Sequence, residues 1–187
     1  MTLVCGASGV GKSHVARALA LRYGTPLAEA DDIVTALGAL TTPDQAPELH
    51  FWNTHPEASA WPPERIVEQH FRVVEALTPG LRAVVNDHIE FQSAVVIEGD
   101  YLVPELASGF GSAVRAVVIA EPDEVQIVEN FRSREPDEPA QQSRARVSLL
   151  VEAELTRRGD AVGAPVVLAR PWDTAVHRAD EALRALD

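Results

Sequence analysis

The chain has 187 residues, 46% of them hydrophobic, a formal net charge of −12 and one cysteine. That length suits one domain with a full hydrophobic core. The acidity argues against a nucleic-acid backbone as partner, no apolar run reaches the ~20 residues that span a membrane, and a lone cysteine excludes an internal disulfide.

Thr2–Cys5 reads as a short buried strand, with Cys5 as core filler rather than a nucleophile. The strand runs into Gly6-Ala7-Ser8-Gly9-Val10-Gly11-Lys12-Ser13, which matches the phosphate-binding pattern G-x-x-x-x-G-K-[ST]. Lys12 is the only lysine of the chain. Its compact ammonium suits the β- and γ-phosphates, the glycines let backbone N–H groups face phosphate oxygens, and the Ser13 hydroxyl suits Mg²⁺. A helix expected over 14–23 places its N-terminus under the phosphates, with His14 counted among the nucleotide-binding residues.

A second strand over 26–30 ends in Glu29-Ala30-Asp31-Asp32, followed by a helix over 32–39. Of the paired carboxylates, one can take the proton of an attacking hydroxyl and the other can hold Mg²⁺ through water. Asp32 also suits a helix N-cap, which leaves Asp31 as the base beside the acceptor. Residues 41–63 hold Pro43, Pro47, Pro56, Pro62 and Pro63 and read as a long loop. It opens an acceptor-side insertion over 41–91, continued by helices over 63–77 and 79–91. His50, Trp52, His55, Trp61, Arg65 and His70 form an aromatic and basic set there, with Trp52, His55 and Arg65 the leading acceptor contacts.

A third strand over 94–98 leads through Val95-Val96-Ile97-Glu98-Gly99-Asp100. Four apolar residues and an acid form a Walker B pattern, so Glu98 is a metal-site residue, while Gly99 and Asp100 lie where substrate approaches. A fourth strand over 114–120 and a helix over 123–133 precede a Pro- and acid-rich flap. Arg132 and Arg134 stand before it and Arg144 and Arg146 after it, which defines a lid over 132–146. Lys12 alone cannot balance a triphosphate, so Arg132 and Arg134 are expected on the transferring phosphoryl group. Beyond a helix over 141–158 and a fifth strand over 165–169, Arg170-Pro171-Trp172 falls where a nucleotide base would rest, ahead of a helix over 174–186. Strands alternating with helices predict a doubly wound, parallel α/β domain spanning 1–187, with ligands at the carboxyl ends of the strands.

The phosphate loop, the strand-two aspartates, Glu98-Gly99 and the arginine-flanked flap, in this order, resemble the nucleoside monophosphate kinase-like group of P-loop kinases. The small-molecule branch is most similar: 2-phosphoglycerate kinase-like, gluconate kinase-like and chloramphenicol phosphotransferase-like proteins. The stretch Val96-Ile97-Glu98-Gly99-Asp100-Tyr101-Leu102-Val103-Pro104 is similar to the segment after strand three in the first of these. The resemblance implies a five-stranded P-loop NTPase sheet in the order 2-3-1-4-5, helices on both faces, a lid, ATP with Mg²⁺, and Asp31 as base. The Asp-Gly-Phe-Pro-Arg stretch of true nucleoside monophosphate kinases is absent from the sequence, so a nucleotide acceptor is not expected.

The resulting expectation is a Mg²⁺-ATP-dependent kinase acting on a hydroxyl of a small metabolite or natural product. A nucleotide-dependent switch acting on a protein partner is the competing reading. The expected location is the cytoplasm, without nucleic-acid or membrane partners, and the sequence carries no signal for oligomeric state.

Overall fold

The computed structural model describes residues 1–139 and 141–186. Residues 140 and 187, the first of them within the expected lid, lie outside the described residues. The strands are β1 (Thr2–Cys5), β2 (Leu27–Glu29), β3 (Val96–Gly99), β4 (Arg115–Ala120) and β5 (Val166–Leu168). They form one parallel sheet in the order β2-β3-β1-β4-β5, with Thr2 of β1 opposite Val96 on one side and Arg115 on the other. Because every strand runs the same way, all five carboxyl ends open on one edge, and ligands of such sheets bind there.

Seven α-helices cover the sheet among the described residues: α1 (Lys12–Tyr23), α2 (Ala30–Leu40), α3 (Pro47–Thr54), α4 (Pro63–Glu90), α5 (Glu124–Arg134), α6 (Gln141–Val162) and α7 (Trp172–Arg184). Val15, Ala16 and Leu19 of α1 pack with Ala175, Ala179 and Leu183 of α7 on one face. Val73, Leu77 and Leu81 of α4, Ile127 and Phe131 of α5 and Leu155 of α6 build the core on the other. Such burial contributes roughly 1.5–3 kcal/mol for each large side chain. Cys5 is fully buried in β1, and burial pushes its thiol above the ordinary range, so it stays a protonated core residue.

Two stretches differ from the expected elements. The helices expected over 63–77 and 79–91 are one helix, α4, with Pro79 inside it. Val73, Leu77, Leu81 and Val85 keep the buried stripe in register across the proline, and their packing outweighs its cost of about 3 kcal/mol. The expected long loop over 41–63 holds α3 and a 3₁₀ turn, Pro56–Ala60. Three of its five prolines are helix starts: Pro47, Pro56 and Pro63 each open an element, where the missing N–H costs nothing. No helix among the described residues is long and apolar enough to cross a membrane.

Candidate active site

The phosphate loop leaves β1 and feeds directly into α1, whose first residue is Lys12. Gly11 is the N-cap, in the left-handed region with φ 92°. A side chain at Gly11 would also collide with the Trp172 ring, since a Cβ would lie 2.4 Å from it. The free N–H groups of the first helical turn therefore open into a cleft of about 300 Å³ lined by Gly9, Gly11, Lys12, Ser13, His14, Asn130, Arg134 and Trp172. Trp172 meets His14 edge-on, with ring centroids 6.3 Å apart. The Asn130 side-chain amide donates to the Gly9 carbonyl at 2.8 Å and ties the loop to α5.

Lys12 Nζ lies 3.8 Å from Glu98 Oε2 at the end of β3. Glu98 is 4% exposed, and Oε2 is a buried atom with no hydrogen-bond partner among the described residues. A buried carboxylate oxygen left unbonded is costly unless a ligand or its water shell completes it. Beside Ser13 at the phosphate end of the loop, this donor set fits hydrated Mg²⁺.

Strand β2 brings the next acid. Glu29, not Asp32, is the N-cap of α2, and no side chain caps that helix. The expected capping by Asp32 is thus corrected: the helix begins two residues earlier, and both aspartates occupy its first turn, where their charge favours the helix N-terminus. Asp31, in the first turn of α2, feels the charges of Lys12, Glu98 and Asp100; partial burial first, and the Asp100 carboxylate second, hold its carboxyl above the ordinary aspartate range, while Lys12 opposes them. Asp32 points about 100° further round the helix; both aspartates are exposed. Gly99 does not serve substrate approach as expected. It is buried, and a Cβ there would lie 2.6 Å from the Ala30 Cβ, so its smallness lets β3 pack against the start of α2.

On the acceptor side, His70 Nε2 donates to the Asp100 carbonyl at 3.0 Å, and the His70 ring stacks on Tyr101 at 5.1 Å. Burial lowers the His70 pKa from its ordinary value, which keeps the ring neutral. Trp52 hydrogen-bonds the Tyr101 hydroxyl, whose pKa burial raises. Trp52 and Asp100 therefore join the Asp31 group. His55 and Arg65 do not: with Phe51, Trp61, Glu68 and Arg72 they line a separate cleft of about 460 Å³. There His55 stacks on Phe51 at 4.4 Å and the Arg65 guanidinium lies 3.5 Å above the Trp61 ring.

Of the lid arginines, Arg134 lines the phosphate cleft. Arg132 lies on another face of α5, beside Val125, Val128, Glu129 and Gln142, because two residues of helix turn a side chain by about 200°. Arg134 Nε donates to Glu135 at 2.8 Å, and Arg144 grips the same carboxylate at 2.6 and 3.2 Å. The two guanidiniums hold the Glu135 carboxyl down at about 2. After β5, Arg170 is clamped by the buried Glu121 at 2.8 Å and by Asp123 at 3.1 Å. Its edge is thus committed to carboxylates, Pro171 is the N-cap of α7, and Trp172 walls the phosphate cleft.

Asn130, Tyr101 and Glu121 were not singled out by sequence reasoning. For Asn130 a signal existed: it lies one helical turn before Arg134, so one face of α5 carries both.

A family model described as an AAA domain, AAA_33, matches residues 1–158. The chain belongs to the AAA_33 family. Among solved structures, this AAA_33 chain is similar to a gluconokinase from Sinorhizobium meliloti 1021, with 21% identity, 99% of this chain and 91% of that one covered, and a TM-score of 0.58. It is also similar to a shikimate kinase from Bacteroides thetaiotaomicron, with 14% identity, coverage of 98% and 97%, and a TM-score of 0.56. TT1252 from Thermus thermophilus shows 17% identity, coverage of 98% and 95%, and a TM-score of 0.53. No curated protein matches the sequence. At these identities the likeness establishes the fold: a P-loop NTPase domain built like those of small-molecule kinases.

Proposed function

We propose that this protein is a Mg²⁺-ATP-dependent phosphotransferase that moves the γ-phosphoryl group to a hydroxyl of a small molecule. The observation that carries the reading is Lys12 at the head of α1, 3.8 Å from Glu98, with Asp31 close enough to feel the charges of both. A loop with Lys12 and Ser13 binds a nucleotide, but a third group with a raised carboxyl facing the acceptor side adds a base.

In this reading the first-turn N–H groups of α1 and the Lys12 ammonium bind the phosphates and hold them in line. Ser13 and Glu98, the latter through water, would hold Mg²⁺, which supplies charge neutralisation on the β- and γ-oxygens. Asp31 orients the acceptor hydroxyl and accepts its proton; the acceptor oxygen bonds to the γ-phosphorus, and the bond to the β-bridging oxygen breaks with its electron pair left on ADP. Arg134, which lines the phosphate cleft, would meet the transferring group, and Arg144 would join it on release from Glu135. Trp172, in the wall of the phosphate cleft, would bound the nucleotide there, with Arg170 held by Glu121 and Asp123. The Asp32, Arg132, His55 and Arg65 roles expected from sequence find less support, since none shares the site with Lys12. We place the activity in the cytoplasm on the strength of composition, with its one cysteine buried and reduced.

Acceptor-dependent ADP release tests the reading. A kinase releases ADP slowly alone and faster with a hydroxylated small molecule; release that responds only to a protein partner contradicts it.

A further inference from the structure

The acceptor wall is acidic by construction. Glu29 of β2 pairs in register with Glu98 of β3, and the Ala30–Gly99 contact keeps the two chains in step beyond the strands. Two residues past that pair, Asp31 and Asp100 therefore leave adjacent strand ends side by side. The Asp100 backbone is fixed by the hydrogen bond from His70, and the Tyr101 and Trp52 rings complete the wall.

Among the described residues, no lysine or arginine forms an ion pair with Asp31 or Asp100 from the acceptor side. Lys12, the one cation acting on Asp31, belongs to the phosphates. Arg65 lies over Trp61, Arg82 over Phe110 and Arg158 over Phe71, with Arg158 also paired to Glu154 and Glu105. Arg134 and Arg144 are bound to Glu135. Among the described residues no arginine ion-pairs with Asp31 or Asp100. An acceptor bearing a carboxylate or phosphate would bring a further anion against this wall, where like charges repel. A neutral hydroxyl meets hydrogen-bond acceptors there, and an ammonium gains a countercharge.

Resting on the kinase reading of this site, we propose that the acceptor is a neutral or positively charged alcohol, an uncharged polyol or an amino alcohol, and that Asp100 is the residue that excludes acidic alcohols. The test is ADP release at saturating Mg²⁺-ATP across matched sets on one carbon skeleton, such as glucose, glucosamine and gluconate. A wider panel of neutral, amino and acidic hydroxylated compounds accompanies them. Turnover is expected only with neutral and cationic members, the acid of each set falling at least about tenfold in kcat/KM. Asp100→Asn should narrow the ratio of neutral to acidic substrate by about tenfold, while Asp100→Glu keeps it. An acid turned over as well as its neutral partner, or an unchanged ratio in Asp100→Asn, overturns the proposal and leaves the kinase reading standing. ADP release stimulated by no compound of any class, with nucleotide binding intact by titration, overturns both.

Discussion

Glu152 on α6 offers a sharp physical test of how that helix is joined to the sheet. Its carboxylate accepts the Glu121 backbone N–H, and it is 7% exposed. Burial first, and the Glu121 carboxylate as well, push its carboxyl up to about 7 from 4.5, against the backbone hydrogen bond. A raised acid binds its proton more tightly when folded, so its stabilising form is present below 4.5 and is lost as pH climbs through about 7. At about 1.4 kcal/mol per pH unit, ionised Glu152 costs the folded state about 3 kcal/mol at pH 8. Glu152→Gln keeps an oxygen for the Glu121 N–H and removes the charge. It should stabilise the protein by about 2–3 kcal/mol at pH 8, a Tm rise of about 4–10 °C for a chain of this size, and by little at pH 5. Urea denaturation of both proteins at pH 5, 6.5 and 8 measures this. Equal stability differences at pH 5 and 8 would refute the reasoning, since a packing effect does not titrate.

The other expectations concern the site itself. Lys12→Ala should lower kcat more than tenfold, a barrier change of at least about 1.4 kcal/mol, because no second lysine can replace it. Asp31→Asn should cut acceptor-dependent kcat by ~10²–10⁴ with nucleotide affinity kept within a few-fold by titration. In wild type, turnover should rise with pH through a raised carboxyl above 3.8, since the base works ionised, and that limb should vanish in the variant. Arg134→Ala should lose about 10²-fold in kcat while Arg132→Ala stays within about twofold, because only Arg134 lines the phosphate cleft. Gly11→Ala places a Cβ 2.4 Å from Trp172 at φ 92°, and calorimetric titration should show nucleotide affinity falling at least about tenfold.

The phosphate loop, the strands and the place of Glu98 were legible because each follows from short-range chemistry: a glycine pattern, apolar runs, an acid after a strand; the strand order came from the resemblance to P-loop kinases. Directions around helices were not. Arg132 and Arg134 are equivalent as letters, and only the anchoring of Asn130 on Gly9 fixes which one faces the loop. Proline misled twice, once where it opens α3 and once where the stripe of Leu77 and Leu81 carries α4 through Pro79. Gly99 read as room for a ligand because its neighbour Ala30 lies 69 positions away in the chain and only the β2–β3 register brings them together. His55 and Arg65 were sequence neighbours of the acceptor side, yet the outward face of α4 and the far side of α3 set them in their own cleft.

The most direct test of the account follows the γ-phosphorus. Wild-type protein, Lys12→Ala and Asp31→Asn are each incubated with γ-labelled ATP, Mg²⁺ and a pooled set of hydroxylated small molecules, and the label is separated into organic and inorganic phosphate. The account predicts label in an organic phosphate with wild type and its loss in both variants. Label found only as inorganic phosphate with wild type, at a rate indifferent to the small molecules, would contradict it.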